Sequence, residues 1–364
     1  MSIFPKQVIT SLTILMSVPL VLQNCMSPLP EPDLPLLPEN VAYVSNENAG
    51  ISVIDLLNFE IIRQIPVTGS GPRGLAITTD GQFLLAANKE TADVSVIDTR
   101  KGLEVRRIEI GRNPEFIKLH PDGLLAFTSH EPASIGGPPS RRTKEQIEAI
   151  LLGPPSRIVA IDTEQWEVTK TFTGGVETEG VAFSLDGERM LVTNEAEDTV
   201  TVYDVERGEL QKTIDITPYG YRPRGVKASP DGQSYAVTLE SSGTLLILDE
   251  NFDVSRSVSI GERPYGVGYD SDGKRLLVVA AGAQKLQVFD AQSLASIAEV
   301  PVGQRCWHFT FTPDNSKILV ACGRSNDLYV IDAESYEPIE VLDGFDLPWG
   351  VITYPRAYGS IDLP

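Results

Sequence analysis

The chain of 364 residues carries 30 Lys+Arg against 50 Asp+Glu, a net charge of −20, with 41% hydrophobic residues and a mean hydropathy of −0.05. Nucleic-acid binding needs a concentrated basic face, so this balance argues against it, and for the same reason against an anionic membrane surface. The length exceeds a common single domain, which leaves two domains or one large repeat array.

Residues 1–25 differ in kind from the rest. Lys6 precedes the apolar run VITSLTILMSVPLVL (8–22), and the stretch is too short, and too broken by Pro19, to span a membrane; it reads as an export signal. Leu22 stands three residues before Cys25, as in a bacterial lipobox, but Gln23 and Asn24 depart from the small residues of that motif. Lipid attachment at Cys25 and ordinary signal cleavage are the two readings. The anchor is the one membrane association the sequence suggests. Residues 26–40 are proline-rich and read as a tether. The expected destination is the periplasm or the cell envelope, where disulfides persist.

From residue 41 onward the chain repeats. An apolar-Asp pair recurs at Asp55, Asp98, Asp162, Asp204, Asp249, Asp290 and Asp332, at intervals of 43, 64, 42, 45, 41 and 42 residues. Asp-Gly or Asp-Asn turns fall between them at 80–81, 122–123, 186–187, 231–232, 272–273 and 314–315. Within each unit, as in GVAFSLDGERMLVTN (180–194), two short apolar runs flank the turn, a hairpin signal, and two alternating strands follow. Four antiparallel strands per unit describe a propeller blade. The first copy begins at a second strand (42–46) and the last ends after a lone inner strand (349–355). The prediction is an all-β, seven-bladed propeller over 41–355, closed by pairing that C-terminal strand with the N-terminal three. The 64-residue interval carries an insertion at about 132–156, with a short helix expected within RRTKEQIEAI (141–150), and 356–364 is left as a tail. The insertion reads either as a lid or as a tolerated surface excursion.

YVSNENAGISVID, RPRGVKASPDG, VGQRCWHFTFTPDN and LPWGV together resemble the exported YVTN-type β-propeller repeat proteins. The branch most alike is the pyrroloquinoline-quinone-dependent-catabolism-associated propellers, which are similar to the haem-binding propeller domain of cytochrome-cd nitrite reductases. The resemblance covers residues 41–355 and implies the fold; for chemistry it implies only that a quinone-like molecule or a haem is the ligand class to consider.

Aligning the copies on their turns places Arg73, Glu115, Glu179, Arg224, Tyr265, Trp307 and Trp349 at the start of successive inner strands, hence around one mouth of the axial channel. The first four form a charged arc and the last three an aromatic arc, an arrangement suited to a flat anionic small molecule. The alternative is that Arg and Glu satisfy one another while the aromatics plug the channel. The next column is glycine except at Phe116 and His308. His308 and His130 are the histidines placed at this mouth, and either is a candidate to hold a haem or a metal; no clustered ligand spacing supports a metal. Cys306 and Cys322 lie symmetrically about Asp314, nearly opposite one another across one hairpin, which favours a disulfide.

No nucleophile elbow, phosphate-binding loop or c-type haem attachment motif is present in the chain. The sequence therefore reads as a monomeric exported binding module rather than an enzyme, for a small anionic or quinone-like molecule or a periplasmic or surface partner protein. The alternatives are an oxidoreductase domain holding a haem or quinone, and a structural docking scaffold. Catalytic residues are not assigned.

Overall fold

A computed structural model describes Met1, residues 36–133 and 143–363. The export segment with Cys25, most of the tether and part of the insertion lie outside the described residues. All of the fold below lies in the unit that runs from Leu36 to Pro364.

Why the hairpins recur is visible at each turn. The Asp carboxylate caps the turn: Asp80 accepts from the Gln82 amide and the Thr78 hydroxyl, and Asp231 accepts from the Gln233 amide and the Ser229 hydroxyl. The following Gly takes positive φ, 72° at both Gly81 and Gly232, which the turn requires. Each pair of strands so joined continues into two more, giving seven four-stranded antiparallel sheets. In chain order these are the blades of a ring. Blade 1 pairs the terminal strand Pro348–Tyr354 with Val41–Asn46, and Ile51–Asp55 and Glu60–Ile65 complete it. The register of that closure, Tyr43 opposite Ile352 and Val44 opposite Val351, joins the two ends of the ring. The sequence-derived seven-bladed architecture and its closure are thus what the chain adopts.

Burial follows strand position. The inner three strands of a blade are buried nearly throughout, whereas outer strands such as Glu60–Ile65 alternate and keep charged residues on the free edge. The apolar faces pack between neighbouring blades; Leu277, Val279 and Leu286 of blade 6 meet Phe309, Phe311 and Val320 of blade 7. A single blade has two such faces, so stability is a property of the ring.

Two details position the site. First, the inner hairpins carry a bulge. Pro72 pairs with Asn88 and the next paired residue is Leu75; Pro223 pairs with Leu239 and the next is Val226; Cys306 pairs with Cys322 and the next is His308. The bulged residues are those expected at the mouth, and the bulge turns them toward the axis. Second, the following glycines sit against the next blade. A Cβ on Gly180, Gly225 or Gly266 would fall 2.3, 2.5 or 2.6 Å from the main-chain oxygen of Arg224, Tyr265 or Trp307.

Cys306 and Cys322 form a disulfide across the blade 7 hairpin, with both residues fully buried. In blades 1, 2 and 4 the Cys322 position is Asn46, Asn88 and Asn194, whose amides bond Ser52, Ser95 and Thr201 on the third strand. The disulfide takes the place of that tie. It closes a loop with a sequence separation of 16, so the C306A/C322A double variant should lose about 3 kcal/mol. Urea unfolding should show the loss, and a reductant should shift the midpoint of the wild type while leaving the double variant unchanged.

Candidate functional site

The seven mouth residues do converge, and they close the mouth. Arg73 pairs with Glu115 and, at 3.1 Å, with Glu47. Arg224 contacts Glu179 and bonds Glu195 at 2.6 Å and Glu240 at 2.8 Å. Tyr265, Trp307 and Trp349 form one buried cluster with Leu347. Cation–π contacts stitch the two arcs together, with Arg224 4.7 Å from the Tyr265 ring centre and Arg73 5.9 Å from that of Trp349. Arg224 is 8% exposed and Trp349 3%. The charged residues satisfy one another and the aromatics plug the gap, which is the second of the two arrangements the sequence allowed. The axial chamber beneath has a volume of only about 40 Å3, lined by Glu179, Arg224, Tyr265, His308 and Trp349 among others.

His308 lies in that chamber, below the mouth. Its Nδ1 is 3.0 Å from Ser360 Oγ, and its ring packs on Trp349 with centres 4.3 Å apart. Burial, helped by Lys227 and Arg224, pulls it down to about 3, so the imidazole is neutral. His130 ends the strand Leu125–His130 opposite Arg157 and packs on Gly111. It lines neither the chamber nor the larger cavity described next, so the two histidines do not share a site. His120 belongs to the opposite face, where Nε2 meets the Gly187 carbonyl at 3.0 Å.

The space for a ligand is displaced from the axis. A cavity of about 790 Å3 lies over blades 4–6, lined by Glu177, Glu195, Arg222, Glu240, Arg263 and Arg305, with Tyr221 and the backbone-rich stretch Ser241–Gly243. The insertion reaches it through the helix Lys144–Leu151, which places Ile147 and Ile150 on the lining. A capping box starts this helix: the Thr143 hydroxyl accepts from the Gln146 amide, and the Gln146 side chain accepts from the Thr143 amide at 2.8 Å.

Two further columns of the repeat build this lining, and the counting that located Arg73 through Trp349 reaches both. One stands two residues before each mouth residue: Gly71, Asn113, Glu177, Arg222, Arg263, Arg305 and Leu347, all with positive φ. The other follows each second strand: Glu47, Lys89, Glu131, Glu195, Glu240, Ala281 and Gly323. The two are tied in register, the Glu195 amide to the Glu177 carbonyl at 2.7 Å and the Glu240 amide to that of Arg222 at 2.8 Å.

Electrostatics divide the carboxylates. Arg224, Arg222 and Arg305 hold Glu240 down to about 2 against the opposing effect of burial. One guanidinium shared among three carboxylates leaves Glu179 under-compensated, and burial raises it well above the ordinary range despite Arg224. Glu131 is raised likewise by burial and by Glu115, Glu177 and Glu195; Asn113 donates to one of its oxygens at 2.6 Å and the other has no partner. Among the described residues Arg263 has no carboxylate partner, and Arg305 reaches Glu240 only at 3.5 Å.

Fold and cavity together define a seven-bladed propeller with an off-axis cavity on one face. Comparison with known proteins gives this class its relatives. Residues 149–312 match the family model described as the cytochrome D1 heme domain, in keeping with the resemblance read from the repeats. Antigen Lp49 of Leptospira interrogans is 22% identical over 267 residues, 66% of this chain; the match spans about half of that protein, 53%. Among solved structures, the periplasmic gluconolactonase PpgL of Pseudomonas aeruginosa superposes with a TM-score of 0.69 at 18% identity, covering 86% of this chain and 99% of that one. Dihydro-heme d1 dehydrogenase NirN, solved in complex with DHE, superposes with a TM-score of 0.61 at 16% identity, covering 89% and 77%. At these identities the structures share the fold.

A carboxyl raised in the folded state stabilises fully below its unfolded value of about 4.3 and loses that contribution as pH rises. Glu131 is such a group, so Glu131→Gln should raise stability at pH 7 by on the order of 1–2 kcal/mol. The gain should vanish toward pH 4 in thermal melts run across that range.

Proposed function

We propose that this chain is an exported binding module for a flat small molecule bearing carboxylates, held in the cavity over blades 4–6. The observation that carries the reading is the coincidence of cavity and family match: every lining residue except Ile147 falls within residues 149–312. A volume of about 790 Å3 suits a small organic ligand. Arg263 and Arg305 are the cations left to meet carboxylates, and Ile147, Ile150, Ile260 and Tyr221 offer apolar and aromatic surface to a ring. Export, with or without a lipid on Cys25, fits the N-terminal sequence, and the Cys306–Cys322 disulfide suits an oxidising compartment. The working unit in this reading is the monomer.

A quinone-type acid and a tetrapyrrole are the two ligand classes. For a haem, the lining fits the ring and its carboxylates, and iron ligation less well: Tyr221 is the lining side chain of a type that ligates haem iron, while His130 and His308 stand elsewhere. An oxidoreductase built on either histidine therefore has no support from the cavity, and no step through iron follows. A partner protein docked on the same face is the remaining reading.

Absorbance titration of purified protein with haemin and, separately, pyrroloquinoline quinone tests the proposal. One of the two should bind with one-to-one saturation, and Arg263→Ala and Arg305→Ala should each weaken it about tenfold or more. Binding unchanged in both variants would move the ligand to another site. Failure of both compounds to saturate, with nothing bound in protein from its own host, would leave the docking role.

A further inference from the structure

The residues after the last strand fill the axis. The segment Arg356–Leu363 runs antiparallel to the inner strand of blade 7, Cys306–Phe311: the Phe311 amide donates to the Tyr358 carbonyl at 2.8 Å and the Ser360 amide to the Phe309 carbonyl at 2.9 Å. Since Trp307 marks the upper mouth, the segment enters from the opposite end and climbs toward His308, where Ser360 Oγ meets Nδ1. It then turns, and Asp362 reaches two lysines on other blades. Lys118 of blade 3 and Lys227 of blade 5 both donate to the Asp362 main-chain oxygen, the second at 2.9 Å. Arg356 binds the Asp362 carboxylate at 2.9 and 2.6 Å, holding the turn in shape.

The channel is built to admit a peptide. Three residues below each mouth position stand Ala76, Lys118, Ala182, Lys227, Gly268, Thr310 and Ile352. Small residues at Ala76, Ala182 and Gly268 leave room, and a Cβ on Gly268 would fall 2.9 Å from the Gly359 oxygen. The two lysines are the cations of this layer. Lys227 is 1% exposed, and burial lowers both amines, Lys118 to about 8. A buried amine without an acceptor is costly; the Asp362 main-chain oxygen serves both lysines, and the Ile361 oxygen at 3.3 Å is a second acceptor for Lys118.

We propose that the lower half of the axial channel is a peptide-binding site, formed by Lys118, Lys227 and the inner strand of blade 7, and that its ligand is the chain's own segment 356–363. The segment contacts residues of blades 3, 5, 6 and 7 from the centre and closes the lower end of the channel, which leaves the upper face as the route for a small molecule.

Gly359 supplies the test, because a Cβ there would fall 2.8 Å from the Phe309 oxygen and 2.8 Å from Thr310 Cα. In the full chain, Gly359→Val should expel the segment. Hydrogen exchange at 357–363 should accelerate about a hundredfold or more while the blade strands stay protected. A labelled peptide of the sequence RAYGSIDLP should then bind the variant and not the wild type. A segment that stays protected in Gly359→Val, or a released segment whose site takes no peptide, overturns the proposal. Should that variant fail to fold, Lys227→Met in the full chain should speed exchange at 360–363 about tenfold or more, and unchanged exchange there overturns it equally.

Discussion

The fold depends on a contact made at the axis: Gly180, Gly225, Gly266 and Gly350, each following a mouth residue, lie against the main-chain oxygen of the neighbouring blade's mouth residue, and Gly74 lies against the backbone of Phe116 and Ile117. A hydroxyl from the second strand seals the same contact. Ser45 donates to the Arg73 carbonyl at 2.6 Å, Thr193 to that of Arg224 at 2.7 Å and Thr238 to that of Tyr265 at 2.6 Å. Glycine permits the approach, the hydroxyl satisfies a carbonyl that the bulge removes from its ladder, and the mouth side chain is thereby aimed inward. Blades 3 and 7 depart from the glycine column with Phe116 and His308, and the His308 ring stacks on Trp349 of blade 1. The joint between blades 7 and 1 adds this aromatic contact, the terminal strand pairing and the segment on the axis to the apolar packing of Leu319, Ala321 and Val330 against Ala42, Val44 and Val351.

The repeat was legible because turn chemistry is local. Asp followed by Gly marks the inner hairpin of blades 2 to 6, Asp343-Gly344 being the exception in a loop between strands, and counting back from it finds Arg73, Arg224 and Tyr265 without any tertiary knowledge. What those residues do was not legible, because Arg224 is decided by Glu195 and Glu240, which arrive from the ends of other strands. Only when all three columns are set side by side does the charge balance of the mouth come out closed. His130 keeps its place in the column, but its side chain faces Gly111 and Arg157, and the inner strand of that blade is only Ile117–Leu119. The axial segment carries neither period nor turn signal, and its partners, Lys118 and Lys227, lie more than a hundred residues away in sequence.

In the proposed reading, the closed mouth serves structure and the open cavity serves recognition. Buried guanidinium-carboxylate clusters such as Arg224 with Glu179, Glu195 and Glu240 stabilise little beyond what they cost to desolvate, but breaking one leaves uncompensated charge in the interior. They hold the floor in a single arrangement. The proposed recognition falls to side chains that the floor does not use, such as Arg263, and to the insertion helix, whose Ile147 and Ile150 line the cavity beside Ile260.

The column with positive φ has a wider reach than this one cavity. Asn113, Glu177, Arg222, Arg263, Arg305 and Leu347 share a backbone shape while their side chains range from an amide and a carboxylate through three guanidiniums to an apolar leucine. That shape is strained for any residue with a Cβ, and the surrounding turn enforces it regardless of identity. The strain therefore belongs to the backbone, and the identity of the side chain above it is set by that side chain's own neighbours. The rim carries seven posts of one backbone shape, some tied to neighbours, as Arg222 is to Glu195 and Glu240, and some free of a carboxylate among the described residues, as Arg263 is, where a side chain can be exchanged without touching the architecture.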